Sequence, residues 1–345
     1  MKTRVFVFFL ILLSQFIQSQ TYQGKVLDAI TSEPLETVSV YFDGTTIGTI
    51  TNSEGFFSIE LPDNKNTKSL LVISFVGYQT LTINSTSLKQ NTTYNLIEKE
   101  TSLDEVVLFD DWSRQKKLNI FRRQFLGSDK ATLKCEIKNE DVIKLVYSKS
   151  NNQLYASTNE PIIIINKALG YKVYYDLVDF EVTFTNCLNC FRGVKTVFYS
   201  GTSRFEELSV KKVKSKYIKA REKSYFGSLL HFMRVLSTNE TDKFGFKFFI
   251  KAPARDSELY FNTNVETVFE IIKNEDLVKV KLLQENKVVI RYNIIEQSAL
   301  LIQDEDKTFF IDDFGIHSPV DKIIFGGRFG NSRLSTMLPN NYYPN

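Results

Sequence analysis

Short runs of alternating apolar and polar residues dominate the chain. Near its start, alternation with a period of two is clear at residues 38–42 (VSVYF) and 57–61 (FSIEL), and turn residues around Gly55 separate the two runs. Alternation places successive side chains on opposite faces of a strand, so each strand is expected to bury one face. Glycine supplies the positive φ of a tight reversal without a Cβ clash. The pattern predicts a small β-sandwich.

After a polar stretch at residues 109–117, the pattern becomes mixed. Leu118, Phe121 and Phe125 recur at helical spacing, and so do Tyr225, Leu229, Phe232 and Leu236 farther along, which predicts amphipathic helices at both places. Strand patterns occupy the rest of this region, at residues 142–147, 153–158, 161–166, 171–184, 194–200, 277–283 and 287–295. The fold class is therefore mainly β: an N-terminal seven-stranded-type β-sandwich, then an α+β domain rich in antiparallel strands with a central helical segment.

The first residues have the features of an export signal. A basic start, Met1 to Arg4, precedes nine apolar residues, Val5 to Leu13, a run too short to cross a bilayer as a helix. We expect residues 1–19 to be a cleaved signal peptide, with an uncleaved anchor as the alternative. Because no later stretch approaches 18 apolar residues, we expect no transmembrane segment in the mature chain. The predicted location is the periplasm or the outer membrane.

The predicted sandwich contains a set of glycines, turn residues and apolar positions that point to a known family. They are Gly24-Lys25-Val26, Asp28, Thr31, Pro34-Leu35, Val38, Gly48-Thr49, Thr51-Asn52, Gly55-Phe56, Val76-Gly77-Tyr78 and the closing stretch 101–108 (TSLDEVVL). In these residues the chain resembles the carboxypeptidase regulatory-like domain, a transthyretin-like β-sandwich. The resemblance covers residues 22–107, and a linker at 108–117 and the α+β domain at 118–345 follow it. In that family the domain is noncatalytic and has a structural or interactive role beside peptidase domains or ahead of outer-membrane receptors.

A second, weaker resemblance concerns the α+β domain. The residues concerned are 166–180 (NKALGYKVYYDLVDF), Arg221, Tyr225, Gly227-Ser228, His231-Phe232, Arg234 and 337–344 (MLPNNYYP). In these residues the domain looks like the region that follows this module in other two-part secreted bacterial proteins, a region from which no activity can be carried over.

Several kinds of chemistry are excluded or unsupported. A zinc carboxypeptidase needs two imidazoles and a carboxylate, but neither His231 nor His317 begins an HxxE or HExxH motif, so this activity is rejected. GxSxG, GxxxxGK[ST] and GxGxxG motifs are missing, and we expect no cofactor and no resident metal. The charge is balanced, with 43 basic and 40 acidic side chains, so nucleic acid is not an expected partner.

A basic segment before the second helical stripe offers a candidate ligand surface. Lysines crowd residues 211–223 of the helical interval, and the same interval contains Arg221, Tyr225, His231 and Arg234. Such residues could hold an acidic glycan, another anionic ligand or a membrane surface, while a solvated helix face is the structural alternative. His231 and Arg234, one turn apart, are expected on the face away from the apolar stripe.

Cysteine offers a third kind of chemistry. Cys187 and Cys190 form a CxxC pair, and Cys135 makes the count odd. In an oxidising compartment a structural disulfide is expected, either within the CxxC turn or from Cys135 to one of the pair. The alternatives are free thiols, or a redox or metal-binding role for the cysteines.

These features favour binding over catalysis. The leading prediction is an exported, noncatalytic binding or interaction protein of the bacterial cell envelope, with an envelope protein as partner, accessory to an outer-membrane or surface assembly. One alternative is an enzyme or small-ligand binder with a site near the 221–234 helix. The other is a thiol-disulfide protein that uses Cys187 and Cys190.

Overall fold

The computed structural model describes residues 21–62, 69–99, 112–185, 193–209, 212–251, 260–274, 277–284, 287–293 and 295–344. These residues form two compact units. The first comprises residues 21–41, 47–62 and 70–99, and the second comprises residues 42–46, 69 and the described residues from 112 onward. The predicted signal peptide at 1–19 lies outside the described residues, as do residues 108–111 of the predicted linker.

Strands β1 to β7 build the first unit, as the alternating pattern predicts. One sheet has the order β4-β1-β7, in which β1 runs antiparallel to β4 and parallel to β7, and the other has the order β3-β2-β5-β6. The buried faces of both sheets supply an apolar core that includes Val26, Phe57, Val40 and Leu71. The strands are Thr21–Asp28 (β1), Ser39–Phe42 (β2), Gly48–Ile50 (β3), Phe56–Glu60 (β4), Leu70–Ser74 (β5), Leu81–Asn84 (β6) and Thr92–Leu96 (β7).

Fifteen strands of the second unit form three sheets among the described residues. Their orders are β8-β11-β12-β10-β9, with β13 paired to the other edge of β12, then β15-β14-β18-β19-β22 and β16-β17-β20-β21. The strands are Cys135–Ile137 (β8), Lys144–Ser148 (β9), Gln153–Ser157 (β10), Ile162–Asn166 (β11), Tyr171–Phe184 (β12), Val194–Glu207 (β13), Phe246–Lys251 (β14), Tyr260–Thr263 (β15), Phe269–Lys273 (β16), Val278–Leu282 (β17), Lys287–Tyr292 (β18), Glu296–Ile302 (β19), Thr308–Ile311 (β20), His317–Ser318 (β21) and Ile323–Gly326 (β22).

Helices cover the sheets of this unit. They are Arg114–Leu126 (α1), Ser215–Tyr225 (α2), Leu229–Thr238 (α3), Val265–Val268 (α4) and Gly327–Asn331 (α5). Helix α1 begins where the Ser113 side chain accepts a hydrogen bond from the Lys116 amide, so residues 114–117 of the predicted linker are helical. Its buried Phe121 packs on Phe180 of β12, with ring centroids 4.7 Å apart.

The predicted central helical segment is two helices. Gly227, with φ of +74°, separates α2 from α3, and a Cβ at this position would lie 2.4 Å from the Tyr292 ring. Ser228 then caps α3 by accepting a hydrogen bond from the His231 amide. The structure is mostly β with few helices, which confirms the predicted fold class. In the described part of the chain, no helix is long and apolar enough to span a membrane.

Candidate functional site

Arg221, the first residue of the predicted ligand surface, is 5% exposed, and its guanidinium contacts other groups of the protein. Its guanidinium makes two hydrogen bonds of 2.8 Å to the carboxylate of Glu207 and donates from Nε to the Leu169 carbonyl oxygen, also at 2.8 Å. The same group lies over the Tyr171 ring, 3.8 Å from its centroid. This planar, bidentate arrangement is the one for which arginine is suited, and it joins α2 to the start of β12 and the end of β13.

Arg234 is 9% exposed and binds backbone carbonyls. It donates to the oxygens of Phe314, Asn340 and Tyr342 at 2.9, 2.7 and 2.8 Å, respectively. Its guanidinium carbon is 4.0 Å from the centroid of the Tyr343 ring. The side chain therefore fastens the last described residues of the chain to α3.

His231 and Tyr225 complete a buried aromatic cluster. The His231 ring is 2% exposed, and its Nδ1 accepts a hydrogen bond of 3.1 Å from the Gly227 amide. Five aromatic rings surround it: Tyr225, Phe226, Phe244, Phe246 and Tyr292. Burial and the nearby Arg234 charge lower the pKa of His231 to about 4, so the imidazole is neutral at pH 7.

His231 and Arg234, predicted on the helix face away from the apolar stripe, are both buried, so this face of α3 is covered by protein as well. All four predicted residues bond to the protein itself, which favours a structural role. They also bring together the stretches of the weaker resemblance: Arg221 contacts residues 169–171, and Arg234 contacts residues 340–343. A ligand on these residues stays a prediction.

The first unit carries an open groove of about 670 Å³. Residues of β1, β4 and β7 line it together with Thr49, Ile50 and Asn52. Phe56 and Ile50 are 49% and 54% exposed. Lys25 lines the groove with its Nζ 4.8 Å from the centroid of the Phe56 ring, and it is the one charged residue among the described residues that line the groove.

Two cavities adjoin the start of α3 in the second unit. The smaller has a volume of about 210 Å³ and the larger about 770 Å³. Both are lined by Tyr199, Leu229, His317, Ser332 and Arg333. The smaller cavity also reaches Ser224, Ser228 and Leu230 of the predicted helical segment, although none of Arg221, Tyr225, His231 and Arg234 lines it. Sequence reasoning did not single out Tyr199 or Arg333.

Of the three predicted disulfide cysteines, the structure describes Cys135 only, because Cys187 and Cys190 lie outside the described residues. Cys135 has no disulfide partner among the residues described, and burial raises the pKa of its thiol to about 12. It pairs with Asn166, which pairs with Tyr171 at one end of β12.

Both predicted disulfides, within the CxxC turn and from Cys135 to one of the pair, involve residues outside the described part of the chain and stay predictions. Among the described residues, no group of three or more His, Cys, Asp or Glu side chains could hold a metal ion.

Comparison with known proteins bears on the first unit. Residues 22–108 match the family model of the CarboxypepD_reg-like domain. The match confirms the resemblance drawn from the sequence, and it contains all seven strands of the first unit except the first residue of β1. The CarboxypepD_reg-like domain therefore includes the open groove. None of the curated proteins compared with the chain matches it.

Solved structures add little. Two are mutants of a type II cohesin–X-dockerin complex from Acetivibrio cellulolyticus, with an N-terminal and a C-terminal interface mutation. The first is 23% identical, and the match covers 22% of this chain and 51% of that chain with a TM-score of 0.17. The second is 19% identical, and the match covers 33% of this chain and 79% of that chain with a TM-score of 0.19. A Bacteroides fragilis protein of unknown function is 12% identical, and the match covers 89% of this chain and 94% of that chain with a TM-score of 0.18. The chain spans about half the length of the first, and nothing is inferred from TM-scores this low.

Proposed function

We propose that the chain is an exported, noncatalytic binding protein of the bacterial cell envelope, and that its CarboxypepD_reg-like domain holds a protein partner. The observation that carries the proposal is the open groove on this domain, where an aromatic ring lies on the face of a strand that normally meets water. In β4, Phe57 and Ile59 point into the core, while Phe56 points outward and is half exposed. Exposed apolar side chains in a groove are typical of interaction sites.

The groove also defines the kind of partner. Strands β3 and β4 are edges of their sheets, so the backbone of an extended segment can pair beside them. Ile50 and Phe56 offer apolar contact, and Lys25 favours an acidic group. We therefore expect an extended segment of an envelope protein that carries apolar and acidic side chains.

Affinity capture from crosslinked envelope fractions tests the proposal. The tagged full-length protein is compared with Phe56→Ser, and Ile30→Ser is the matched control because Ile30 is 81% exposed and does not line the groove. We expect one envelope protein to be recovered with the unchanged chain and with the control, but not with Phe56→Ser. Equal recovery with all three chains would contradict the assignment of the groove. Absence of the protein from envelope fractions would contradict the exported location.

A further inference from the structure

The two cavities beside α3 form a second place where the molecule can bind a ligand, unrelated to the groove of the first unit. The smaller cavity has an apolar body, because Leu229, Leu230, Ile316, Met337 and Leu338 line it. Its 210 Å³ equals the volume of about seven water molecules in the liquid. The larger cleft shares five lining residues with it, and Lys195 and Asp321, of opposite charge, line the cleft alone.

Among the described residues that line the smaller cavity, Arg333 is the one that is charged at pH 7. Its guanidinium carbon lies 5.6 Å from the centroid of the Tyr199 ring, which lines both cavities. Arg333 also hydrogen-bonds to the Tyr199 side chain, an interaction that acts to lower the Tyr199 pKa against the larger rise that burial causes. Within the part of the chain that the structure describes, Arg333 makes no ion pair, whereas Arg221 is paired with Glu207.

The backbone around Arg333 is held firmly. The amides of Leu334 and Ser335 donate to the carbonyl oxygens of Phe125 and Leu126, at 3.2 and 3.0 Å. These carbonyls belong to the last turn of α1, where a helix leaves its acceptors without partners. The Ser335 carbonyl oxygen in turn accepts a hydrogen bond of 2.9 Å from the side-chain Nδ2 of Asn166. Arg333 therefore projects from a segment tied to both α1 and β11, which lowers the ordering cost of binding.

The charge balance of the smaller cavity favours an anion. None of the described residues that line it is Asp or Glu. His317, the other basic side chain among them, is neutral at pH 7, because burial lowers its pKa to about 4. In the smaller cavity an incoming carboxylate thus meets a cation and no carboxylate of these residues, whereas an amine meets a guanidinium of like charge.

We propose that this cavity binds a small amphipathic carboxylic acid, with its carboxylate at Arg333 and its hydrocarbon body among the apolar side chains. Arginine presents two parallel N–H donors that match the two oxygens of a carboxylate. A body of a few carbon atoms fits the smaller cavity, and a longer chain extends into the cleft.

Isothermal titration of the full-length protein with hexanoate tests the proposal, with hexanamide and hexylamine as neutral and cationic probes of the same length. Since a hydrogen bond to a charged group contributes about 1.5–3 kcal/mol, we expect hexanamide to bind at least about 10-fold more weakly than hexanoate, and hexylamine more weakly still. This comparison uses the unchanged protein, so it does not depend on the folding of a variant. Hexanamide binding as tightly as hexanoate, or no hexanoate binding at millimolar concentration, would overturn the proposal.

The variant Arg333→Gln locates the site. We expect it to weaken hexanoate binding at least about 10-fold and to leave hexanamide binding nearly unchanged, because only the charged contact is lost. Arg123→Gln is the control, since Arg123 is an exposed arginine on α1 that lines neither cavity. Unchanged hexanoate affinity in a folded Arg333→Gln protein would refute the assigned residue. The binding of hexanoate does not depend on whether the groove around Phe56 binds a protein partner. Either proposal can therefore be refuted without the other.

Discussion

Arg234 provides a sharp test of how the second unit is held together. The substitution Arg234→Met keeps most of the aliphatic stem and removes the guanidinium, which donates to three carbonyl oxygens. Each hydrogen bond from a charged donor contributes about 1.5–3 kcal/mol, so the three together have an upper limit of about 9 kcal/mol. Two of the acceptors, Asn340 and Tyr342, lie in the last described segment and can bond to water once it separates. We therefore expect a loss of about 3–5 kcal/mol in the free energy of unfolding.

Urea denaturation followed by tryptophan fluorescence measures this loss. The chain has one tryptophan, Trp112, which stacks on Tyr147 in the second unit, so the signal reports on the unit that contains Arg234. Hydrogen exchange supplies a second observable: amides of residues 340–344 should exchange faster in the variant than in the unchanged protein.

Arg291→Met is the matched control. Arg291 is exposed, and its guanidinium carbon lies 4.6 Å from the centroid of the Phe249 ring, a contact that contributes about 0.5–1 kcal/mol at a surface. If Arg234→Met lowers the free energy of unfolding no more than Arg291→Met does, the buried guanidinium of Arg234 does not stabilise the unit and the reasoning is refuted. The loss for Arg234→Lys should lie between the losses for Arg291→Met and Arg234→Met, because an ammonium keeps the charge but does not have the planar set of N–H donors.

Two further predictions concern titratable groups. The pKa of His231 is about 4 in the folded protein, against an ordinary value of 6.5. As the pH falls, the unfolded chain therefore takes up a proton before the folded protein does. The free energy of unfolding should fall by about 3 kcal/mol between pH 6.5 and pH 4. The variant His231→Asn keeps an acceptor for the Gly227 amide without titrating; the difference between its pH curve and that of the unchanged protein should show this fall, and parallel curves would contradict it. Cys135 is a free thiol in the structure, and burial raises its pKa, so it should resist iodoacetamide in the native protein at neutral pH and react once the chain is unfolded without reductant. Rapid labelling of Cys135 in the native protein, or a disulfide-linked peptide containing Cys135 in mass spectrometry, would contradict this.

Local patterns predicted much of the fold. The alternation at residues 171–184 coincides with the bounds of β12, and the spacing of Leu118, Phe121 and Phe125 predicted α1. Each of these features depends on residues a few positions apart, whose burial follows from the period of the element itself. The turn residues of the sandwich carried similar local information, and the family match confirms that domain.

Side-chain roles in the second unit depended on distant partners. Arg234 donates hydrogen bonds to the carbonyl oxygens of Asn340 and Tyr342, and Arg221 donates one to that of Leu169. Because these acceptors are distant in the sequence, nothing near either arginine shows that its N–H groups already have partners in the protein. Arg333 is an isolated basic residue in a polar stretch, and only the fold places it at a cavity. Phe56 did give a local signal, because an aromatic residue stands at an outward position of an alternating strand.

The central claim, that the CarboxypepD_reg-like domain holds a protein partner in its groove, is tested most directly by photocrosslinking in living cells. A photoreactive phenylalanine analogue replaces Phe56, and in a second strain it replaces Ile30, an exposed residue that does not line the groove. The account predicts one crosslinked envelope protein from position 56 and none from position 30. The same products from both positions, or no product from position 56 in a protein that reaches the envelope, would contradict it.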